Sequence, residues 1–259
     1  MQKVAKSPFE ARRALVTGAA SGIGLAIARH LKSRGADVAV SDLPGENLER
    51  AARDLGASGA IGADLSEREQ VHRLAREAGA IDILVNNAGF QHVSPVEDFD
   101  EDRWEKMIRV MLIAPFLLIR ALIPGMYQRG WGRIVNIASV HGLVASPYKS
   151  AYVSAKHGLL GLTRTVALEA AAKGVDVTIN AICPSYVRTA LVEKQIADQA
   201  RVHQIPEAEV VSRILLEANA VKRLIEPEEV ASAVEFLCSE AAWSLTGVAF
   251  PMDAGWLAH

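Results

Sequence analysis

Short runs of consecutive apolar residues recur along the chain. Longer stretches separate them, in which apolar positions return every three or four residues. The runs at 14–17, 38–41, 59–63, 81–86, 133–137, 178–183 and 248–251 are apolar or β-branched without alternation. They predict strands buried on both faces, as in a parallel sheet. The stretches between them predict helices at 24–34, the later part of 42–55, 66–78, 102–126, 152–172 and 227–239. Ser66 with Glu69 predicts a capping box at the third helix. Pro227 opens the last helix, where proline is favoured. Strand–helix alternation implies right-handed βαβ units. The expected fold is therefore α/β: one doubly wound domain over 1–259, with a seven-stranded parallel sheet and helices on both faces.

The rhythm breaks at 188–226, where two amphipathic patterns, 192–199 and 207–218, follow the sixth strand. Ligands of open α/β sheets bind beyond the carboxyl ends of strands. This stretch is expected to be a lid within the same domain.

Composition narrows the function classes. Half of the 259 residues are hydrophobic, enough for a large core. Against 30 Asp and Glu stand 28 Lys and Arg, a net charge of −2. That leaves no electrostatic footprint for nucleic acid and no polybasic segment for an anionic membrane. Cys183 and Cys238 are too far apart in sequence for a disulfide framework or metal knuckle, which suits a reducing cytoplasm. Residues 1–13 lack the apolar core of a signal peptide. The apolar run 110–119, between Arg109 and Arg120, is shorter than the roughly 20 residues of a membrane span. His30, His72, His92, His157, His203 and His259 show no metal-ligand spacing, so no metal is expected.

The first strand runs into Thr17-Gly18-Ala19-Ala20-Ser21-Gly22-Ile23-Gly24, and a helix follows. Glycines let a backbone approach a pyrophosphate, and the helix N-terminus offers free N–H groups and partial positive charge. Gly18, Ser21, Gly22, Ile23 and Gly24 are the candidate phosphate cradle of a Rossmann-like domain; without a ligand they would be a tight turn. Asp42 ends the second strand, 18 residues after Gly24. A carboxylate there accepts from a ribose diol and repels a 2′-phosphate. With no Lys or Arg in the loop, this points to NAD over NADP.

Tyr152 and Lys156 are i and i+4 on a predicted helix and share a face. An ammonium at about 4 Å, with an effective dielectric near 20, favours a phenolate by about 4 kcal/mol, or about three pKa units. That would poise Tyr152 for proton transfer near neutrality. Ser139, 13 positions earlier at a strand end, could hydrogen-bond the reacting oxygen.

The spacing Gly-x-x-x-Gly-x-Gly, Asn86-Asn87-Ala88-Gly89, Ser139 and Tyr152-Val153-Ser154-Ala155-Lys156 together resemble the short-chain dehydrogenase/reductase family across nearly the whole chain. The resemblance implies Ser139, Tyr152 and Lys156 as the catalytic set, with Lys156 also on the nicotinamide ribose. It implies Asp64 and Leu65 at the adenine, Asn87, Ala88 and Gly89 along the cofactor, and Val187 and Thr189 at the carboxamide. It also implies a homotetramer in which helices 152–172 and 102–126 pair between subunits. Three positions depart from the family pattern. Met111 stands where an asparagine usually opens the fourth helix around a water, and Pro115 could itself distort that helix. Ser185 and Ala254 replace glycines; being small, both should be tolerated.

Within the family the resemblance extends to members acting on 3-hydroxybutyrate. It implies Gln91, His141, Lys149 and Gln195 as donors to the carboxylate of a short 3-hydroxy acid. Tyr186, where a tryptophan is usual, and Trp256 would wall the methyl end. A lysine, a histidine and two amides suit two carboxylate oxygens. The expected activity is NAD-dependent oxidation of D-3-hydroxybutyrate to acetoacetate. A 3-oxoacyl reductase of the same family and a non-catalytic NAD-binding protein remain as alternatives.

Overall fold

The computed structural model describes residues 8–258 apart from 191, 194–195, 197–199, 201–204 and 212–214. Seven parallel strands form one sheet among these residues: β1 Arg13–Thr17, β2 Asp37–Asp42, β3 Gly59–Gly62, β4 Ile83–Asn86, β5 Trp131–Ile137, β6 Asp176–Pro184 and β7 Ala249–Met252. Their order is β3-β2-β1-β4-β5-β6-β7. The chain leaves β1 toward one edge and returns beside β1 as β4. Such a reversal opens a crevice at the carboxyl ends of the two strands.

Both faces of the inner strands β1, β2, β4, β5 and β6 are buried, which explains their unbroken apolar runs, while the edge strands β3 and β7 are only partly covered. Leu15 and Leu84 face one apolar layer, while Val16 and Val85 face the other. The first layer packs on helices α3 Arg68–Ala78, α4 Glu101–Ile108, α5 Ala114–Arg129 and α6 Ser150–Ala171. The second packs on α1 Gly22–Ser33, α2 Glu46–Leu55 and, after the short α7 Glu207–Val210, α8 Pro227–Cys238. Glu235 of α8 ties to α1 through His30 and Arg34, at 2.5 and 2.6 Å.

Two local expectations are corrected. Ser66 does not cap α3: its hydroxyl donates to Asp64 at 2.7 Å, and the N-cap position falls on Glu67. A capping box occurs instead at α8, between Glu226 and Glu229. The predicted helix 102–126 is one 29-residue helix, Glu101–Arg129, interrupted by a π-helical turn at Arg109–Ile113. Pro115 has no N–H for the Met111 carbonyl four residues back, so the α-helical ladder must open there. By length and hydropathy this helix could cross a bilayer. In the fold it covers the sheet, and 56% of its most apolar stretch is buried.

Beneath the crevice runs a buried polar chain. Asn86 Nδ2 donates to Asn136 Oδ1 at 2.8 Å, Asn136 Nδ2 to the Thr163 hydroxyl at 2.9 Å, and that hydroxyl to the Leu159 carbonyl at 2.7 Å. It fastens β4, β5 and α6 in register. Asn136→Ala leaves the Asn86 amide without its acceptor in the core. We expect a loss of about 1–3 kcal/mol, read as a lower denaturation midpoint at unchanged m-value.

Candidate active site

A cleft of about 990 Å³ lies across the carboxyl ends of β1, β2, β4, β5 and β6. Gly18, Ser21, Gly22 and Ile23 form its floor at the N-terminus of α1. Gly18 and Gly22 have φ of +64° and +52°, which glycine adopts without steric cost. A Cβ on Gly18 would lie 2.7 Å from the Ala88 Cα. Gly24 sits behind the loop instead of lining the cleft, and a Cβ there would lie 2.2 Å from the Gly18 carbonyl oxygen. Asn87 locks the turn, its Nδ2 donating to the Thr17 and Gly18 carbonyls at 3.0 Å each.

Asp42 is aimed by the backbone. One carboxylate oxygen accepts from the Ala20 N–H at 2.9 Å, and the other from its neighbour Leu43 at 2.8 Å. Asp64 accepts from the Ser66 N–H and hydroxyl, and from Lys106 at 3.3 Å. Burial raises the Asp64 pKa, but these donors outweigh it and hold the carboxyl below its usual value. Leu65, Asn87, Ala88, Gly89, Val187 and Thr189 also line the cleft.

Ser139, Tyr152 and Lys156 meet at the end of β5. The Ser139 hydroxyl accepts from the His141 N–H at 3.2 Å and donates to the Pro184 carbonyl at 3.5 Å. Lys156 donates to the Ile137 carbonyl at 2.7 Å, its Nζ 5.6 Å from the centre of the Tyr152 ring. Burial raises the Tyr152 pKa, partly offset by Ser139. This is opposite to the direction expected from the Tyr–Lys spacing: with the ammonium engaged by a carbonyl, the cost of burying a phenolate dominates. Burial also pushes Lys156 down to about 8, so it stays mostly protonated at pH 7.

Beside them His141 and Lys149 form a cationic corner. Lys149 Nζ lies 3.2 Å from His141 Nε2. An ammonium can only donate, so Nε2 accepts and the neutral ring carries its proton on Nδ1. Burial, then the Lys149 charge, push His141 down to about 4. Burial also lowers Lys149, and no carboxylate among the described residues pairs with it. The Trp256 ring stands edge-on to His141 at 5.5 Å and stacks on Tyr186 at 6.1 Å. Gln91 lines the same end of the cleft. Gln195 lies outside the described residues.

Several lining residues carry no sequence signal. Arg103 and Lys106 reach the cleft from α4, and His92 Nδ1 accepts from the Arg103 guanidinium at 3.1 Å. Their positions follow from how α4 packs, which no local motif announces. At Met111 the π turn persists without the asparagine, and the Met111 Sδ would lie 3.2 Å from a Cβ on Gly89. Ala254 takes φ +53°, so what its position demands is left-handed backbone, not merely small size. The Ser185 hydroxyl accepts from Asn219, which also donates to the Asp253 carbonyl at 2.6 Å.

Residues 12–200 match the family model for short chain dehydrogenases. The chain belongs to the short-chain dehydrogenase family. A D-beta-hydroxybutyrate dehydrogenase of Rhizobium meliloti (strain 1021) is 46% identical over 258 residues, covering 96% of this chain and 99% of that protein. Another from Cupriavidus necator is 44% identical over 256 residues, covering 96% and 98%. Among solved structures, L-sorbose reductase from Gluconobacter frateurii, complexed with NADPH and L-sorbose, superposes with a TM-score of 0.91. It is 28% identical, with coverage of 98% and 99%. As a short-chain dehydrogenase the chain is an oxidoreductase that works with a nicotinamide cofactor. The glycine cradle fits that group: the first N–H groups of α1 have no side-chain cap from Ser21 and open on the cleft.

The depressed His141 pKa sets a pH dependence. Unfolded, the ring takes its proton near 6.5; folded, only near 4. Between these values the unfolded state holds more protons, so stability is lost as pH falls from about 6.5 to about 4. Replacing His141 with Gln should flatten that limb in denaturation midpoints measured at pH 7 and 5. An unchanged slope would assign the acid sensitivity to another group.

Proposed function

We propose that the enzyme oxidises D-3-hydroxybutyrate to acetoacetate, reversibly, with NAD. The observation that carries this reading is the Lys149–His141 corner, at 3.2 Å, which has no carboxylate partner among the described residues and shares a cleft with Ser139 and Tyr152. An unpaired, partly desolvated ammonium calls for an anionic ligand. The identity with two D-beta-hydroxybutyrate dehydrogenases supports a short 3-hydroxy acid.

Bound NAD supplies the acceptor for the hydride that leaves C3. Ser139 orients the substrate oxygen, and Tyr152 takes the hydroxyl proton. Lys156 holds the nicotinamide ribose, and its charge favours the phenolate once the ammonium turns from Ile137 toward the ring. Lys149 and His141, with Gln91 and Gln195, hold the carboxylate, while Tyr186 and Trp256 bound the methyl end. Residues 188–226 act as a lid. Val210, Leu216 and Leu224 form a separate apolar cluster there, with Tyr186 and Val192 packed on it. The enzyme works as a cytoplasmic homotetramer, a reading that gives the exposed Ile113, Phe116 and Leu168 a partner surface.

Asp42 selects the dinucleotide. Its two oxygens keep lone pairs for the adenosine ribose diol, and Lys106, the cation near the adenine end, is engaged by Asp64. Asp42→Ala should lower the NAD/NADP ratio of kcat/KM roughly tenfold or more, the worth of one or two charge-assisted hydrogen bonds.

Lys149→Ala tests the substrate. Losing a charge-assisted bond should cost about 1.5–3 kcal/mol, or roughly 10–150-fold in kcat/KM on 3-hydroxybutyrate. On 2-butanol, which lacks the carboxylate, activity should be low in the wild type and unaffected by the substitution. Equal proportional losses on both would make Lys149 a support of the fold or the cofactor and remove the carboxylate reading.

A further inference from the structure

The chain reaches Lys149 through a residue in an unusual conformation. Tyr148 has φ +64°, the left-handed region. Side chains with a Cβ meet the backbone there, and a bulky residue is a true outlier. Such conformations persist only where the surroundings hold them, and they collect at ligand clamps. The Tyr148 ring explains nothing about the choice: it is 59% exposed and lines no part of the cleft. The backbone does the work. The Tyr148 carbonyl accepts from the Ser94 N–H at 2.9 Å, joining the loop after β4, which carries Gln91, to the loop after β5. One residue later Lys149 becomes the N-cap of α6, its carbonyl accepting from Val153 at 2.9 Å while its ammonium turns onto His141.

We propose that Tyr148 is a positioning residue for the anion clamp: its left-handed backbone turns Lys149 into the cleft, and its carbonyl fixes the loop of Gln91. This rests on reading Lys149 and His141 as a carboxylate clamp. Only the backbone angle is required, so the role belongs to any residue that tolerates positive φ. A β-branched residue does not; glycine and asparagine do.

The test compares Tyr148→Gly, Tyr148→Asn and Tyr148→Val in the full-length protein. Gly and Asn should keep KM for 3-hydroxybutyrate within about threefold, while Val should raise it about tenfold or more. The Val variant should bind NADH as the wild type does, by fluorescence, and should act on 2-butanol unchanged. NMR of the imidazole protons gives a readout without turnover. In the Val variant the His141 titration should rise above about 4 as the ammonium withdraws, with burial still holding it below its ordinary value, and in the Gly variant it should not rise. Equal KM for Val and Gly overturns the proposal. So does equal damage in all three variants, which would assign the role to the ring. A Val variant that loses 2-butanol activity in proportion overturns it too, as general damage. If the wild type fails on 3-hydroxybutyrate, the proposed substrate falls, while the His141 titration still decides whether Tyr148 sets the corner.

Discussion

The cleft depends on how closely two chain segments pass at the point where the sheet reverses direction. Ala88 lies where a Gly18 side chain would be, and the Asn87 amide bonds both the Thr17 and the Gly18 carbonyls. The Thr17 hydroxyl accepts from the Asn87 and Ala88 N–H groups in return, at 3.1 and 3.2 Å. This interlock leaves no room for a Cβ and holds the first turn of α1 open. Backbone N–H groups that would otherwise need caps then face a ligand. Around it, the Asn86–Asn136–Thr163 chain carries the register of β4 through β5 to α6, and so to Tyr152 and Lys156. The glycine turn and the helix of Tyr152 and Lys156 are thus parts of one hydrogen-bonded frame.

Much of this was legible in the residues. Continuous apolar runs marked the strands, because burial on two faces removes the alternation that exposure imposes. The glycine spacing, the Tyr–Lys pair and the lone Asp42 stand where local geometry decides their surroundings. What stayed hidden depends on packing at a distance. Ser66 looked like a cap, but Asp64 two residues before offered its hydroxyl a charged acceptor, and a charge-assisted bond outcompeted the helix N–H groups. Lys106 and Arg103 enter the cleft only through the tilt of α4. The direction of the Tyr152 shift could not be read from i, i+4 spacing, because it turns on burial and on the Ile137 carbonyl that engages Lys156.

Two departures from the family pattern show how one backbone shape is reached by different side chains. The π turn at Arg109–Ile113 survives with Met111, since Pro115 removes a ladder donor whichever residue stands at 111. At Ala254 a left-handed conformation is kept without glycine. There the Val221 N–H donates to the Ala254 carbonyl at 2.9 Å, and the Asp253 carboxylate accepts from Gly255 and Leu257. Neighbouring bonds offset the steric cost of the methyl group.

Lys149, which has no carboxylate partner among the described residues, has a consequence for the stability of the protein without ligand. A partly desolvated cation without a counter-ion lowers the stability of the empty fold, and an anion in the cleft restores it. Any ligand that binds only the native state stabilises by RT ln(1 + [L]/Kd), about 2.7 kcal/mol at a hundredfold excess over Kd. If the corner is the carboxylate clamp proposed above, the resistance of this chain to unfolding and proteolysis rises and falls with the concentration of the small anion that fills it.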